Sequence, residues 1–133
     1  MVENMIPDEL IQDLEMYKEE GGTFEVNEDG GRIFIIFKNY PLPQGIYNKD
    51  VTDLMIFTTP HYPNAGFDMF WIDDTVSLHN GAHPKSAEQF ETYLGRRWRR
   101  FSYHPYNGKP WNPSEDNVCR FMCYVAQRLK KGD

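Results

Sequence analysis

Tyr62-Pro63-Asn64-Ala65-Gly66-Phe67-Asp68-Met69-Phe70-Trp71-Ile72 decides how the first half of the chain is assembled. Pro60 and Pro63 end a preceding extended run, because proline cannot donate to a strand ladder, and Asp68 to Ile72 then supplies a fresh strand. The run before the prolines, Val51 to Thr59, opposes Leu54 and Ile56 to Met55 and Phe57, which is strand periodicity. Pro41, Pro43 and Gly45 separate it from Arg32-Ile33-Phe34-Ile35-Ile36-Phe37. That run is apolar on both faces and so belongs in the middle of a sheet. With Phe24, Val26 and the Asp29-Gly30-Gly31 turn it predicts a hairpin. Upstream, Ile6-Pro7-Asp8-Glu9 opens a helix whose apolar stripe is Leu10, Leu14 and Tyr17 with Ile11 beside them, and Gly21-Gly22 ends it.

Downstream the periodicity is lost. Asp73 to Lys85 is polar and glycine-bearing, a long loop of the kind that often carries function. Ser86-Ala87-Glu88-Gln89 has the form of a capping box and predicts a short helix through Tyr93, limited by Gly95. Asn112-Pro113-Ser114-Glu115 predicts the start of a closing helix that runs to about Lys130. Its buried stripe is Val118, Phe121, Met122, Val125 and Leu129, and Arg128, Lys130 and Lys131 suit its negative end. No repeat, linker or low-complexity tract interrupts the chain.

A length of 133 residues fits one domain, and 40% hydrophobic with 15% aromatic residues is the composition of a chain that folds unaided. The formal net charge of −6 argues against general nucleic-acid binding, which needs a basic face, and favours a protein partner or small substrate. Apolar runs such as Ile33 to Phe37 are far shorter than a bilayer crossing requires, so no membrane partner is expected. The N-terminus, Met-Val-Glu-Asn-Met, lacks the apolar stretch of a secretory signal, and a cytoplasmic location is expected. Cys119 and Cys123, the two cysteines, are spaced on a helix in a way that disfavours a disulfide between them.

The layout resembles that of the ubiquitin-conjugating-enzyme superfamily. Tyr62 to Trp71 is similar to that superfamily's Tyr-Pro-Phe-x-Pro-Pro-x-Val-x-Phe segment: Tyr62 and Pro63 match, while Met69 stands for valine and Trp71 for phenylalanine. Asn64 replaces the aromatic residue, and Gly66 and Phe67 replace the proline pair. Trp111-Asn112-Pro113 resembles the Trp-x-Pro that precedes the first helix after the active site. Among bacterial variants the chain resembles the prokaryotic ubiquitin-conjugating-like family E, through Asp68-Met69-Phe70-Trp71 and Arg97-Trp98-Arg99-Arg100-Phe101-Ser102-Tyr103-His104, over roughly residues 5 to 131. The resemblance implies an α+β fold of an N-terminal helix, a four-stranded antiparallel meander, a long active-site-type loop and a C-terminal helix. It also implies a role in a bacterial ubiquitin-like modification pathway, receiving or positioning a ubiquitin-like protein. The partners would be that protein and its activating enzyme, encoded together with a deconjugating metalloprotease, and no cofactor is implied.

A conjugating enzyme carries its cargo as a thioester, so it needs an accessible cysteine and an oxyanion donor, usually asparagine after His-Pro. No cysteine lies between Asp73 and Val118, where the resemblance places the nucleophile. Counting back from Trp111 reaches Ser102, Tyr103 and His104. His83-Pro84 and His104-Pro105 are followed by Lys85 and Tyr106 rather than asparagine, and His79-Asn80 is the nearest such pair. Helical cysteines are more often inert core residues than nucleophiles, but Cys119 lies near a helix start, where the dipole favours a thiolate. His104 suits a base, proton shuttle or partner contact better than an acyl carrier, and a structural histidine is the plain alternative.

His61, His79, His83 and His104 with Asp73 and Asp74 lack the spacing of zinc motifs, and no metal is expected. Arg96-Arg97-Trp98-Arg99-Arg100 is a basic, aromatic-interleaved cluster that fits an acidic partner or nucleic acid, or else a solvated face with internal ion pairs. On a strand, Arg97 and Arg99 would share one face, Trp98 and Arg100 the other. With Trp111 these four are the candidate partner-binding residues. Two functions remain open: an acyl transferase with an altered site, and a catalytically inactive binding or scaffold domain of the same fold.

Overall fold

The structure, a computed structural model, describes residues 6–19, 23–102 and 111–132. Helix α1 (Asp8–Glu19) buries Leu10 and Leu14 and sets the Tyr17 ring 4.7 Å from that of Phe37. Ile11, expected beside this stripe, points outward and is 42% exposed, because it lies a full helical step from Leu10 and faces away from the sheet.

Strands β1 (Phe24–Asp29) and β2 (Arg32–Pro41) form the expected hairpin, with Asp29 opposite Arg32. Gly30 and Gly31 have φ of 60° and 81°, the double left-handed conformation that a two-residue turn needs and that glycine supplies without a steric penalty. Ile33 to Phe37 are all buried: Ile33, Ile35 and Phe37 on the face covered by the helices, Phe34 and Ile36 on the other. Strand β3 (Val51–Thr58) pairs with β2, and β4 (Phe70–Asp73) pairs with β3 through Leu54 with Ile72 and Met55 with Trp71.

The sheet does not stop at the four strands expected. Two more, β5 (Gln89–Tyr93) and β6 (Arg96–Phe101), extend it antiparallel in the order β1-β2-β3-β4-β6-β5. Strand β5 occupies the place of the short helix expected from Ser86. Ser86 adopts φ 60° and its carbonyl accepts the Ser102 amide at 3.0 Å, so the capping-box residues never enter a helix. Leu94 and Gly95, at φ 55° and 71°, make a two-residue turn that leaves only five residues for Gln89–Tyr93, too few to repay helix nucleation but enough for a paired strand.

The closing helix also begins later than expected, as α2 (Val118–Lys131), with the Asn117 side chain accepting the Arg120 amide at 2.8 Å. Asn112 instead heads a separate turn. Its side-chain oxygen accepts the Ser114 amide, its carbonyl accepts those of Glu115 and Asp116, and the Asn112 amide donates to the Asp116 carboxylate at 2.7 Å. The start signal is genuine, but it is spent on that turn. The α2 stripe is Val118, Phe121, Met122, Val125 and Leu129 as read, and Arg128, in the last turn as expected, is also buried.

Both helices cover one face, the inner face, where they meet Ile33, Ile35, Leu54, Ile56, Phe70, Ile72 and Phe101. Among the described residues no helix covers the outer face. In a flat sheet, β5 would lie about 19 Å from β2. Yet the Tyr93 ring lies 5.6 Å from Phe34, Phe57 and Trp71 alike, so the tip of the β5–β6 hairpin curls back over the outer face. That tip encloses a second apolar layer of Phe34, Ile36, Met55, Trp71 and Trp98.

Candidate functional site

The two landmarks of the sequence touch. The Trp111 ring packs 6.0 Å from Tyr62 and 5.6 Å from Phe67, and its indole N–H donates to the Pro63 carbonyl at 2.6 Å. Gly66 makes this possible: a Cβ there would stand 2.0 Å from Trp111 Cδ2, so any side chain would expel the indole. Phe67 in turn meets Phe121 of α2 at 5.3 Å, and Thr58 Oγ1 donates to the Ala65 carbonyl at 3.2 Å, tying the turn to the end of β3.

Tyr62, 3% exposed, donates its hydroxyl to the Asp13 carboxylate on α1, and the backbone of Val118 at the start of α2 reaches the same oxygen. Burial, then Asp13, push the Tyr62 hydroxyl well above the ordinary tyrosine range, so it stays protonated as a permanent donor. One residue thus joins α1, the Tyr-Pro turn and the N-terminus of α2. The corner is closed and largely buried, a frame for the segment that leads into Trp111.

That segment leaves β6 at Ser102. Its amide donates to the Ser86 carbonyl at 3.0 Å, and its half-buried side-chain oxygen accepts Arg100 Nε at 3.1 Å. Arg100 Nη1 lies 2.9 Å from Glu91 Oε2, while Glu91 Oε1 accepts the Trp71 indole N–H at 2.9 Å and the Tyr93 hydroxyl at 3.2 Å. Burial and then the Glu91 charge push the Tyr93 hydroxyl up, so it too remains a donor. Tyr103 and His104 lie outside the described residues. Cys119 is half-buried in the first turn of α2 and Cys123 is exposed. Ser102 therefore presents its oxygen on the outer side with Arg100, whereas α2, and Cys119 with it, lies on the inner side.

The basic cluster is built into the fold. Alternation along β6 runs as expected, but the side chains are not all at the surface. Trp98 is 0% exposed, with its indole N–H on the Tyr93 carbonyl at 3.2 Å. Arg96 covers it at 4.1 Å and bridges Asp53, at 2.9 Å, to Asp73. Arg99 is 3% exposed, donating Nε to the Val76 carbonyl at 2.7 Å and Nη1 to the Ala87 carbonyl at 2.6 Å. Nη1 also lies 2.9 Å from His83 Nδ1, which must accept because guanidinium has only donors. Burial, then Arg97, lower the Arg99 pKa. Arg128 donates to the Lys85 carbonyl at 2.6 Å from beneath the same loop. The long loop after β4 is thus pinned by two buried arginines through its backbone carbonyls. Arg97, exposed and 4.1 Å over the Phe90 ring, and the half-buried Arg96 and Arg100 are the members of the cluster left within reach of a partner.

The family model for prokaryotic E2 family E matches residues 10–132. The chain belongs to prokaryotic E2 family E. No curated protein and no solved structure matches it. For this family E protein, Gly66 is a departure from the proline pair of related enzymes that has a visible use, since it is the hole in which Trp111 sits.

Sequence reasoning missed three features of the family E protein: the Asp13–Tyr62 bond, the Glu91–Arg100–Ser102 chain, and the burial of Arg99 and Arg128. Only part of the second had a legible signal, Arg100 and Ser102 at strand spacing, whereas Glu91 is brought to them by the β5–β6 register. Among the described residues no three of His, Cys, Asp and Glu are grouped to hold a metal ion, and no helix is long and apolar enough to cross a membrane. His79 and Asn80 line an open cavity of about 490 Å³ with Ile46, Leu78 and Lys131. Tyr40, whose hydroxyl burial raises to about 12, borders another of about 290 Å³ beneath Pro41 and Pro43.

Proposed function

We propose that this protein is the ubiquitin-conjugating-enzyme-like component of a bacterial ubiquitin-like modification pathway, acting in the cytoplasm as a single domain. It receives or positions a ubiquitin-like protein delivered by an activating enzyme, at the segment between β6 and Trp111. The observation that carries this reading is the contact between Trp111 and the Tyr62–Phe67 turn around Gly66. Family membership supports the pathway, and the contact supports a fixed frame beside the segment to which the resemblance assigns the cargo.

A second reading is a catalytically inactive binding or scaffold domain for the ubiquitin-like protein or its activating enzyme. It is favoured by the absence of any cysteine from Asp73 to Val118. A non-reducing gel separates the two, after mixing the protein with the activating enzyme, ATP and ubiquitin-like protein of its own gene neighbourhood. A shifted band is expected for the first reading. A stable complex without a shifted band supports the second, and neither band nor complex defeats both.

A further inference from the structure

We propose that Ser102 is an acyl acceptor and that Arg100, held in place by Glu91, stabilises the oxyanion that forms beside it. The inference rests on the reading just given and names the atoms that would carry it. It starts from how firmly one guanidinium is fixed. Glu91 takes Arg100 Nη1 on one oxygen, and the Trp71 indole and the Tyr93 hydroxyl on the other. Trp71 is 2% exposed and cannot yield, so the carboxylate is fixed by a buried donor rather than by solvent-exposed lysines. An ordinary surface ion pair would leave both partners free to rotate. Here the remaining Nε of Arg100 is aimed at one oxygen, Ser102 Oγ, at 3.1 Å.

Guanidinium offers only donors, so Arg100 cannot serve as base, and its contribution is a fixed positive charge. Because Ser102 Oγ accepts the Arg100 bond, the hydroxyl proton points elsewhere and is available to leave. A cation fixed beside the reacting oxygen, needing no rearrangement as charge develops, is what transition-state stabilisation of acyl transfer requires. It is also what the chain otherwise lacks, since neither His83-Pro84 nor His104-Pro105 is followed by asparagine. In the step, Ser102 Oγ attacks the carbonyl carbon of a thioester. A C–O bond forms, the C–S bond breaks, and the serine proton ends on the departing thiolate, giving an oxyester and a free thiol with no net oxidation. Arg100 bears on the tetrahedral oxyanion, and Glu91 is a positioning residue acting through Arg100.

The test uses the full chain and a short glycine-ending peptide supplied as its mercaptoethanesulfonate thioester, with intact-mass spectrometry as readout. The expected adduct survives dithiothreitol, is removed by hydroxylamine and disappears in Ser102→Ala. Arg100→Ala slows its formation on the order of 100-fold, and Arg100→Lys restores it to within about tenfold of wild type. Ser102→Cys, which leaves the packing intact, converts the adduct to one that dithiothreitol removes. The proposal is overturned if wild type is not acylated, or if the adduct is thiol-labile and lost in Cys119→Ser. Size-exclusion chromatography with the activating enzyme and ubiquitin-like protein keeps the two levels apart. A complex without acylation sinks this inference alone, and no complex sinks the broader reading.

Discussion

The inner and outer faces of the sheet are closed by different means, and the difference separates what holds the fold from what is free to act. The inner face is a continuous apolar core under two helices, completed by the Tyr62–Phe67–Trp111 corner, where the bonds of Tyr62 to Asp13 and of Trp111 to Pro63 join segments far apart in the sequence. The outer face, where no helix lies among the described residues, is closed by a hairpin that folds its own tip over five buried apolar residues and seals them with Arg96, Asp53, Asp73, Arg100 and Glu91. Such a lid places charged groups in fixed positions at half-buried depth, which an apolar core cannot do. Ser102 stands at the end of that charged layer.

If both faces are needed for one cooperative fold, the largest losses should come from either side alike. Trp98→Ala, on the outer face, is expected to cost about 4 kcal/mol, the usual range for emptying a buried tryptophan site. Urea unfolding would show a lowered midpoint with an unchanged slope. A change in slope without loss of the inner-face signal would mean that the hairpin lid unfolds separately. Gly66→Ala, on the inner face, is expected to cost about 3 kcal/mol, because the added carbon occupies the Trp111 ring position. Loss of Trp111 fluorescence burial at unchanged far-ultraviolet dichroism would localise the damage to the corner.

Smaller effects test the joints between the faces. Arg99→Met keeps the apolar stem but leaves the Val76 and Ala87 carbonyls without their donor, at about 2 kcal/mol. Amide exchange should rise over residues 74–88 and nowhere else, and a uniform rise would refute local pinning. The smallest effect concerns the outer seal. Burial pushes the Asp53 carboxyl up, but hydrogen bonds and charge from Lys38 and Arg96 outweigh it, and its pKa lies below the ordinary value. A depressed folded-state pKa means stability present above the unfolded pKa and lost as pH falls through the folded one. Wild type should therefore lose stability below about pH 4, and Asp53→Asn should flatten that part of the profile. Parallel profiles for the two proteins would show that the seal contributes nothing.

The first half of the fold was legible in the sequence because its signals are local. Alternation, two prolines and a double glycine place β1 to β4, and the all-apolar Ile33–Phe37 places β2 inside the sheet, between β1 and β3. Strand β5 was not legible. Gln89–Tyr93 has no apolar alternation of its own and is held by pairing with β6, while Ser86 to Gln89 imitates a helix start. The arginines misled for a related reason. Charge reads as surface, and only the folded loop shows that Arg99 and Arg128 spend their donors on buried carbonyls. Of the candidate site, the Trp111 landmark was legible, whereas its seat at Gly66 read only as a departure from the proline pair. The fixing of Arg100 by Glu91 needed the β5–β6 register, and so could not be seen in advance.

One measurement bears most directly on the account: the intact mass of the wild-type protein after incubation with its activating enzyme, ATP and the ubiquitin-like protein, followed by treatment with dithiothreitol. The account predicts an added mass equal to the ubiquitin-like protein less one water, persisting in the reductant and released by hydroxylamine. A protein of unchanged mass under conditions where the activating enzyme itself is charged would contradict it.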